Sequence, residues 1–286
     1  MRFVTGALVL ATASVATASQ VVSYDGHHVY RILADGPQEV EEIEARFSHF
    51  PTVHARDTLE VVVPPHEIRA FEESGLNARL LSDDLGAQIR AEAVPPTYRR
   101  GLNKRESGLP DLSWFDTYHP YDDHLDWWDD VAAAFPNSEK INVGSSYEGR
   151  DLFAFHFWGD EGKSEDKPII YWHGTVHARE WISTMVVEYL TYQLVDGYTS
   201  GDQNITAFLN HYDFWIVPFH NPDGMLPLLT SSYSLCRIFA HPSTGFVYTQ
   251  TTDRLWRKNR QPRTNATCIG TDLNRNWVCN INTTSF

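Results

Sequence analysis

The 286 residues, 42% hydrophobic and 21% charged, have an ordinary globular composition, long enough for two domains, and exclude a mostly disordered chain. With 37 acidic against 23 basic residues the formal charge is −14, which argues against an electrostatic grip on nucleic acid or anionic lipid; neither nucleic acid nor membrane is expected as a partner. Three cysteines are an odd number, which in a secreted chain leaves a free thiol, an intermolecular bond or a missing partner.

Residues 1–18 read as a signal peptide: Arg2 precedes an apolar stretch at 3–11, and the small Ala16 and Ala18 stand where a signal peptidase cuts. The stretch is too short to span a bilayer, so a secreted, extracellular protein is expected. Asn204-Ile205-Thr206 and Asn265-Ala266-Thr267 are glycosylation acceptors in keeping with export.

Residues 19–105 suggest a small α+β domain. A strand is predicted at 28–33, a helix after Pro37 from the spacing of Val40, Ile43 and Phe47, and a second strand at 59–63, stopped by Pro64 and Pro65. Ile68 and Phe71 mark a helix ended by Gly75, followed by a strand at 76–81 and a short helix at 88–92. The expected order is strand, helix, strand, helix, strand, helix. Pro95 and Pro96, the basic Arg99, Arg100, Lys104 and Arg105, then Gly108 and Pro110 form an exposed linker, with 106–111 as the junction. Its dibasic pairs invite a processing protease; a solvated basic loop is the plain alternative.

Residues 112–286 read as an α/β domain with a mixed, mostly parallel sheet flanked by helices. Leu125, Trp128, Ala132 and Phe135 line a helix stopped by Pro136; a strand starts at 141–143, and Gly149 turns a hairpin. The apolar runs at 168–172 and 214–219 are typical of strands buried on both faces. Between them, a helix over 180–195 is expected to carry Ile182, Val186, Tyr189 and Leu190 on one face, with a short helix at 206–210.

The chemistry lies after the first buried run, in His173-Gly174-Thr175-Val176-His177-Ala178-Arg179-Glu180. His177 and Glu180 are three apart where a loop enters a helix, so an imidazole nitrogen and a carboxylate can converge on one cation. A catalytic zinc needs three protein ligands and an open position for water. His173 is four before His177, but Gly174 breaks the helix that spacing requires, which makes His173 an outer residue of the site. The plain alternative for the pair is an exposed helix start whose Glu180 favours the macrodipole.

His177-Ala178-Arg179-Glu180-Trp181-Ile182, Asn221-Pro222-Asp223-Gly224, Arg254-Leu255-Trp256-Arg257-Lys258 and Asp272-Leu273-Asn274-Arg275-Asn276-Trp277, in this order, resemble the zinc metallocarboxypeptidases of the carboxypeptidase A type, peptidase family M14. The resemblance implies one zinc ion held by His177, Glu180 and a further His, with Asp272 fixing the imidazole. It implies that Arg257 steadies the oxyanion, that Asn274 and Arg275 clamp the terminal carboxylate of a peptide or protein with a free C-terminus, and that Arg179 lines an outer subsite. It also implies that 19–105 is an inhibitory propeptide of ferredoxin-like topology, released by a processing protease from a secreted zymogen.

The sequence departs from that pattern in two places. The family's third zinc ligand, its specificity residues, capping Tyr and general-base Glu lie downstream of the Asn-Arg pair, and this sequence stops at Phe286. Residues 225–245 interrupt the run from Gly224 to Phe246, and residues 278–286 replace the expected continuation after Trp277. Both segments can be encoded by retained introns, with splice donors readable at Gly224-Met225 and Val278-Cys279. Cys236 and Cys279 fall in them, leaving Cys268 at a family position whose disulfide partner lies in the missing part; a Cys236–Cys279 bridge is the alternative. Two functions follow as expectations: a carboxypeptidase zymogen of which this chain is catalytically incomplete, or a non-catalytic secreted protein of carboxypeptidase descent that binds zinc or peptide.

Overall fold

A computed structural model describes residues 21–47, 50–55, 57–92, 108–146, 149–164, 166–222, 245–261 and 269–275. The signal stretch, the basic linker at 93–107, the three cysteines, the Asn265 acceptor and residues 225–244 and 278–286 lie outside them.

The N-terminal module is an antiparallel sheet of β1 (His28–Leu33), β2 (Thr52–Ala55), β3 (Thr58–Val63) and β4 (Ala78–Ser82), in the order β2-β3-β1-β4. The helix α1 (Pro37–Arg46) joins β1 to β2, α2 (Ile68–Glu72) joins β3 to β4, and α3 (Leu85–Ala91) follows. This split β-α-β order arises because both helices deliver apolar side chains to one sheet face. Val40, Ile43 and Phe47 meet Ile32 and the inward-facing Leu59, Val61 and Val63. Pro37 stands at the first turn of α1, where its missing N–H costs nothing, and Gly75 leaves α2 with φ 78°. The structure adds one strand, β2, to the order expected from sequence. Only four residues long and at the sheet edge, it carries no alternation long enough to read.

The second unit is an α/β domain with a mixed sheet. Its strands β5 (Ser138–Ser145), β6 (Asp151–Phe157), β7 (Ile169–His173) and β8 (Asp213–Val217) run in the order β5-β6-β8-β7. The helices are α4 (Tyr121–Ala134), α5 (Trp181–Thr199), α6 (Gln203–His211) and α7 (Phe246–Thr251), with 3-10 turns at Leu112–Asp116 and Leu273–Arg275. Trp127, Trp128, Phe135, Phe155, Phe157 and Phe214 form its fully buried centre. Asp202 caps α6 by accepting hydrogen bonds from the Asn204 and Ile205 amides. No helix among the described residues is long and apolar enough to cross a membrane.

Two expectations for this domain need correction. The described sheet is not mostly parallel: β7 and β8 pair parallel, but β5–β6 and β6–β8 are antiparallel. An apolar run reports burial and carries no strand direction, and the hairpin through Gly149 forces its two arms to oppose. Nor is the 168–172 run buried on both faces. Among the described strands β7 is an edge, and Ile169 is 46% exposed. As expected, Ile182, Val186, Tyr189 and Leu190 share a face of α5; it is the exposed one, while Trp181, Met185, Val187, Tyr192, Leu194 and Val195 enter the core. A helix that is apolar all round offers no periodicity to choose between its faces.

A buried polar knot ties the start of this domain to α5. Glu188 is fully buried, accepts hydrogen bonds from the indole N–H groups of Trp114 (2.9 Å) and Trp128 (3.1 Å), and lies 2.7 Å from His124 Nδ1. His119 stacks on Trp114 with ring centroids 3.5 Å apart, and burial lowers its pKa to about 4. Glu188→Ala strands three buried polar groups, so the expected loss is roughly 3–5 kcal/mol of unfolding free energy. Denaturant titration measures it, and a loss below about 1 kcal/mol contradicts the network.

Candidate metal centre

The site begins where β7 ends. Gly174 is required there because a Cβ would lie 2.9 Å from the Pro218 carbonyl and 3.0 Å from that of Ser183. Thr175 follows with φ 53°, the single non-glycine in left-handed conformation among the described residues; its amide is held by Ser183 Oγ at 2.8 Å. This turn delivers 176–180 across the strand ends. It is pinned by the Ala178 amide on the Arg257 carbonyl (3.2 Å) and by the buried Asn221 side chain on the Val176 carbonyl (3.2 Å). Asn221, seen in the sequence only as part of a motif, is therefore a buttress of the loop.

His177 sits between two carboxylates. Its Nδ1 is 2.8 Å from Glu180 Oε1, and its Nε2 is 3.2 Å from Asp272 Oδ1. Asp272 is fixed in turn: it accepts the Arg257 Nε–H at 3.1 Å and the Asn274 amide at 2.9 Å. An Nε2–H given to Asp272 leaves the Nδ1 lone pair facing the Glu180 carboxylate, and that pair is a two-donor set for a cation such as zinc. The donors fit the group as far as they go. The described residues hold no group of three or more His, Cys, Asp or Glu side chains able to bind an ion.

The electrostatics favour charged carboxylates. Burial pushes the Glu180 pKa up, but hydrogen bonding to His177 and the charges of His177, Arg257 and Arg179 outweigh it and hold it below the usual range. Burial acts likewise on Asp272 and is outweighed chiefly by the Arg257 hydrogen bond and charge. Arg257 Nη1 stands 3.9 Å from Glu180 Oε1, so its guanidinium spans both carboxylates. Asn274 and Arg275 lie next to this cluster on the Leu273–Arg275 turn, both exposed; Arg275 donates to the Asn274 carbonyl at 3.0 Å. His177, Glu180, Asp272, Arg257, Asn274 and Arg275 thus fall in one region, and the ring of His173 packs on Tyr171 and His220.

The N-terminal module covers one side of this region. Arg179 donates to the Thr52 carbonyl of β2 (2.8 Å), and burial lowers its guanidinium pKa. Arg254 donates to Glu92 (2.7 Å) and to the Arg179 carbonyl (2.9 Å), and lies 3.8 Å over the Trp181 ring. Tyr24 donates to Asp253 (2.7 Å), and the Val22 amide to the Thr252 carbonyl (2.8 Å). Sequence reasoning missed these partners. Arg254 was visible within a basic, Trp-containing run, but nothing in the sequence marks Thr52, Glu92 or Tyr24.

Residues 124–285 match the peptidase M14 zinc carboxypeptidase family, and the chain belongs to that family. It is 38% identical to a metallocarboxypeptidase A of Trichophyton rubrum over 281 residues, covering 94% of this chain and 60% of that protein. A metallocarboxypeptidase A of Arthroderma otae is 37% identical over 279 residues, covering 94% and 59%. The crystal structure of the carboxypeptidase A from Helicoverpa armigera superposes with a TM-score of 0.63 at 25% identity, over 92% of this chain and 60% of the other. The chain therefore spans about 60% of the length of the relatives it matches.

Proposed function

We propose that this chain forms the propeptide and the first part of the catalytic domain of a secreted zinc carboxypeptidase that removes C-terminal residues from peptides and proteins. The observation that carries the reading is His177 placed between Glu180 and Asp272, with one ring nitrogen for a metal and the other for a fixing carboxylate. His177 and Glu180 hold the ion together with a third ligand that the family resemblance puts downstream of Arg275. When bound, zinc supplies an acidified water and a Lewis acid for the scissile carbonyl. Asp272 orients the imidazole, Arg257 meets negative charge developing on the carbonyl oxygen, and Arg275 with Asn274 receives the terminal carboxylate in a planar, forked contact. That last contact makes the enzyme an exopeptidase. The test is release of single C-terminal residues from a peptide by this chain supplied with the part of the Trichophyton rubrum relative that it does not match, against none when the peptide is C-terminally amidated.

The module acts as the inhibitory propeptide of that zymogen. In support, its Thr52 carbonyl and Glu92 carboxylate occupy Arg179 and Arg254, beside the metal donors. After a cut in the basic linker this ion pair, together with the Thr52, Tyr24 and Val22 contacts, is what holds the module. Glu92→Gln is expected to weaken retention of the cut module roughly fivefold, the worth of a partly exposed charged hydrogen bond. Size-exclusion chromatography after linker cleavage measures it; unchanged retention would remove Glu92 from the inhibitory contact.

Residues 225–245 are read as an insertion. The Phe246 amide donates to the Asn221 carbonyl at 3.1 Å, so the flanks of the segment meet. Gly245 tolerates no side chain, since a Cβ would lie 2.7 Å from Asn221 Nδ2. Deleting 225–245 brings Gly224 before Phe246, which keeps a glycine at that place. The second reading, a non-catalytic zinc- or peptide-binding protein, is favoured for the chain by itself by the two-donor count.

A further inference from the structure

The acceptor Asn204-Ile205-Thr206 opens α6, and nothing in the metal centre uses it. Asn204 is exposed, and its side chain makes no hydrogen bond with a described residue; only its backbone amide is engaged, donating to Asp202 Oδ1 at 2.8 Å. Helix side chains four apart are neighbours, with Cβ atoms about 5–6 Å apart, so Asn204 stands beside Phe208. That ring is 39% exposed, although Tyr212 and Phe214 hold it with ring centroids 4.9 and 5.2 Å away. The same face carries the exposed Ala207, and α6 has no acidic or basic side chain before His211. The helix is fixed in place by its Asp202 cap and by the Gly159 amide on the Leu209 carbonyl at 2.9 Å. It is also remote from the metal donors. The helix α5 starts beside Glu180 and carries the chain about 28 Å along its axis before α6 begins.

From these features we infer that Asn204 bears an N-linked glycan whose first sugar covers Phe208. The inference rests on the secreted reading, since this modification is made on chains entering the secretory pathway. The donor is an oligosaccharide joined to a lipid through diphosphate. A bond forms between Asn204 Nδ2 and the anomeric carbon of the first sugar, the bond from that carbon to the diphosphate oxygen breaks, and an amide proton departs as the lipid diphosphate leaves. In the folded protein the Thr206 hydroxyl is committed to the Asp202 carbonyl at 2.9 Å, so the transfer takes place before α6 closes. Once the helix forms, the C–H face of the sugar lies against the electron-rich face of the Phe208 ring and removes apolar surface from water. The glycan then shields α6 without standing in the path to His177 and Glu180.

The test is expression of the full 286-residue chain in a eukaryotic secretory host in two forms, one with residues 1–18 and one with a signal segment of proven export in their place. Peptide mass spectrometry of chain recovered from the medium or the secretory compartments is expected to find Asn204 glycosylated. Asn204→Gln and Thr206→Ala each abolish that species. Trimming by an endoglycosidase that leaves the first sugar keeps the melting temperature within about 1 °C, whereas Asn204→Gln lowers it by about 2–4 °C, and in a Phe208→Ser background Asn204→Gln has no such effect. An unmodified Asn204 in chain that has entered the secretory pathway overturns the inference, as does a melting temperature indifferent to Asn204→Gln. A glycan at Asn204 found only in the form with the substituted signal sustains the inference and refutes the export reading instead.

Discussion

Arg257→Ala, in the complemented protein, is expected to lower kcat by roughly 10²–10³ while changing KM little, the signature of a donor used in the transition state. The expectation comes from placement. Arg257 sits against the two carboxylates that flank His177, with its Nε on Asp272 and one Nη 3.9 Å from Glu180. A substrate carbonyl brought to a metal on His177 and Glu180 enters the reach of that guanidinium, and charge grows on its oxygen only as the bond is attacked. Because Arg257 also holds Asp272, Arg257→Lys is the informative companion: it keeps the charge and loses the fork. Zinc retention separates the two roles. A variant that keeps its zinc and loses turnover has lost the oxyanion donor, whereas one that loses both has lost the brace on Asp272.

Arg275→Ala is expected to abolish the preference for a free carboxylate. Its guanidinium is exposed, tied by one hydrogen bond to the Asn274 carbonyl, and has donors left for a ligand. Truncating one side of a desolvated charge pair costs enough to lower kcat/KM on free-ended peptides on the order of 10²-fold. Turnover of amidated peptides, already low, is expected to stay where it is. A side-by-side assay of one peptide with free and amidated ends reads the ratio directly, and a ratio unchanged by the substitution removes Arg275 from the clamp.

Local signals carried much of this architecture. The limits of β1 follow from one β-branched and aromatic run, and Pro37, Gly75, Pro136 and Gly149 punctuate the chain where the elements stop or turn. The centre was legible because its residues sit in four compact motifs, three of which supply side chains that the fold brings within hydrogen-bond reach of one another. What sequence withheld is what depends on distant partners. Strand direction in the second sheet is set by which strands meet, and no run of apolar residues states that. The outward turn of Ile182 and Val186 was invisible because both faces of α5 are apolar. Thr52 and Glu92 meet Arg179 and Arg254 only because β2 and the end of α3 lie over them, a contact across the linker that neither segment announces.

The zinc content of purified protein after exhaustive dialysis against metal-free buffer tests the central claim most directly, since the account makes His177 and Glu180 two ligands of a three-ligand site. Three samples suffice: the chain alone, the chain with its complementing polypeptide, and the latter with His177→Ala. The account predicts about one zinc per complex in the second and none retained in the first and third, because a two-donor site binds far more weakly than a closed set of three. Stoichiometric zinc retained by the chain alone, or by the complex carrying His177→Ala, would contradict it.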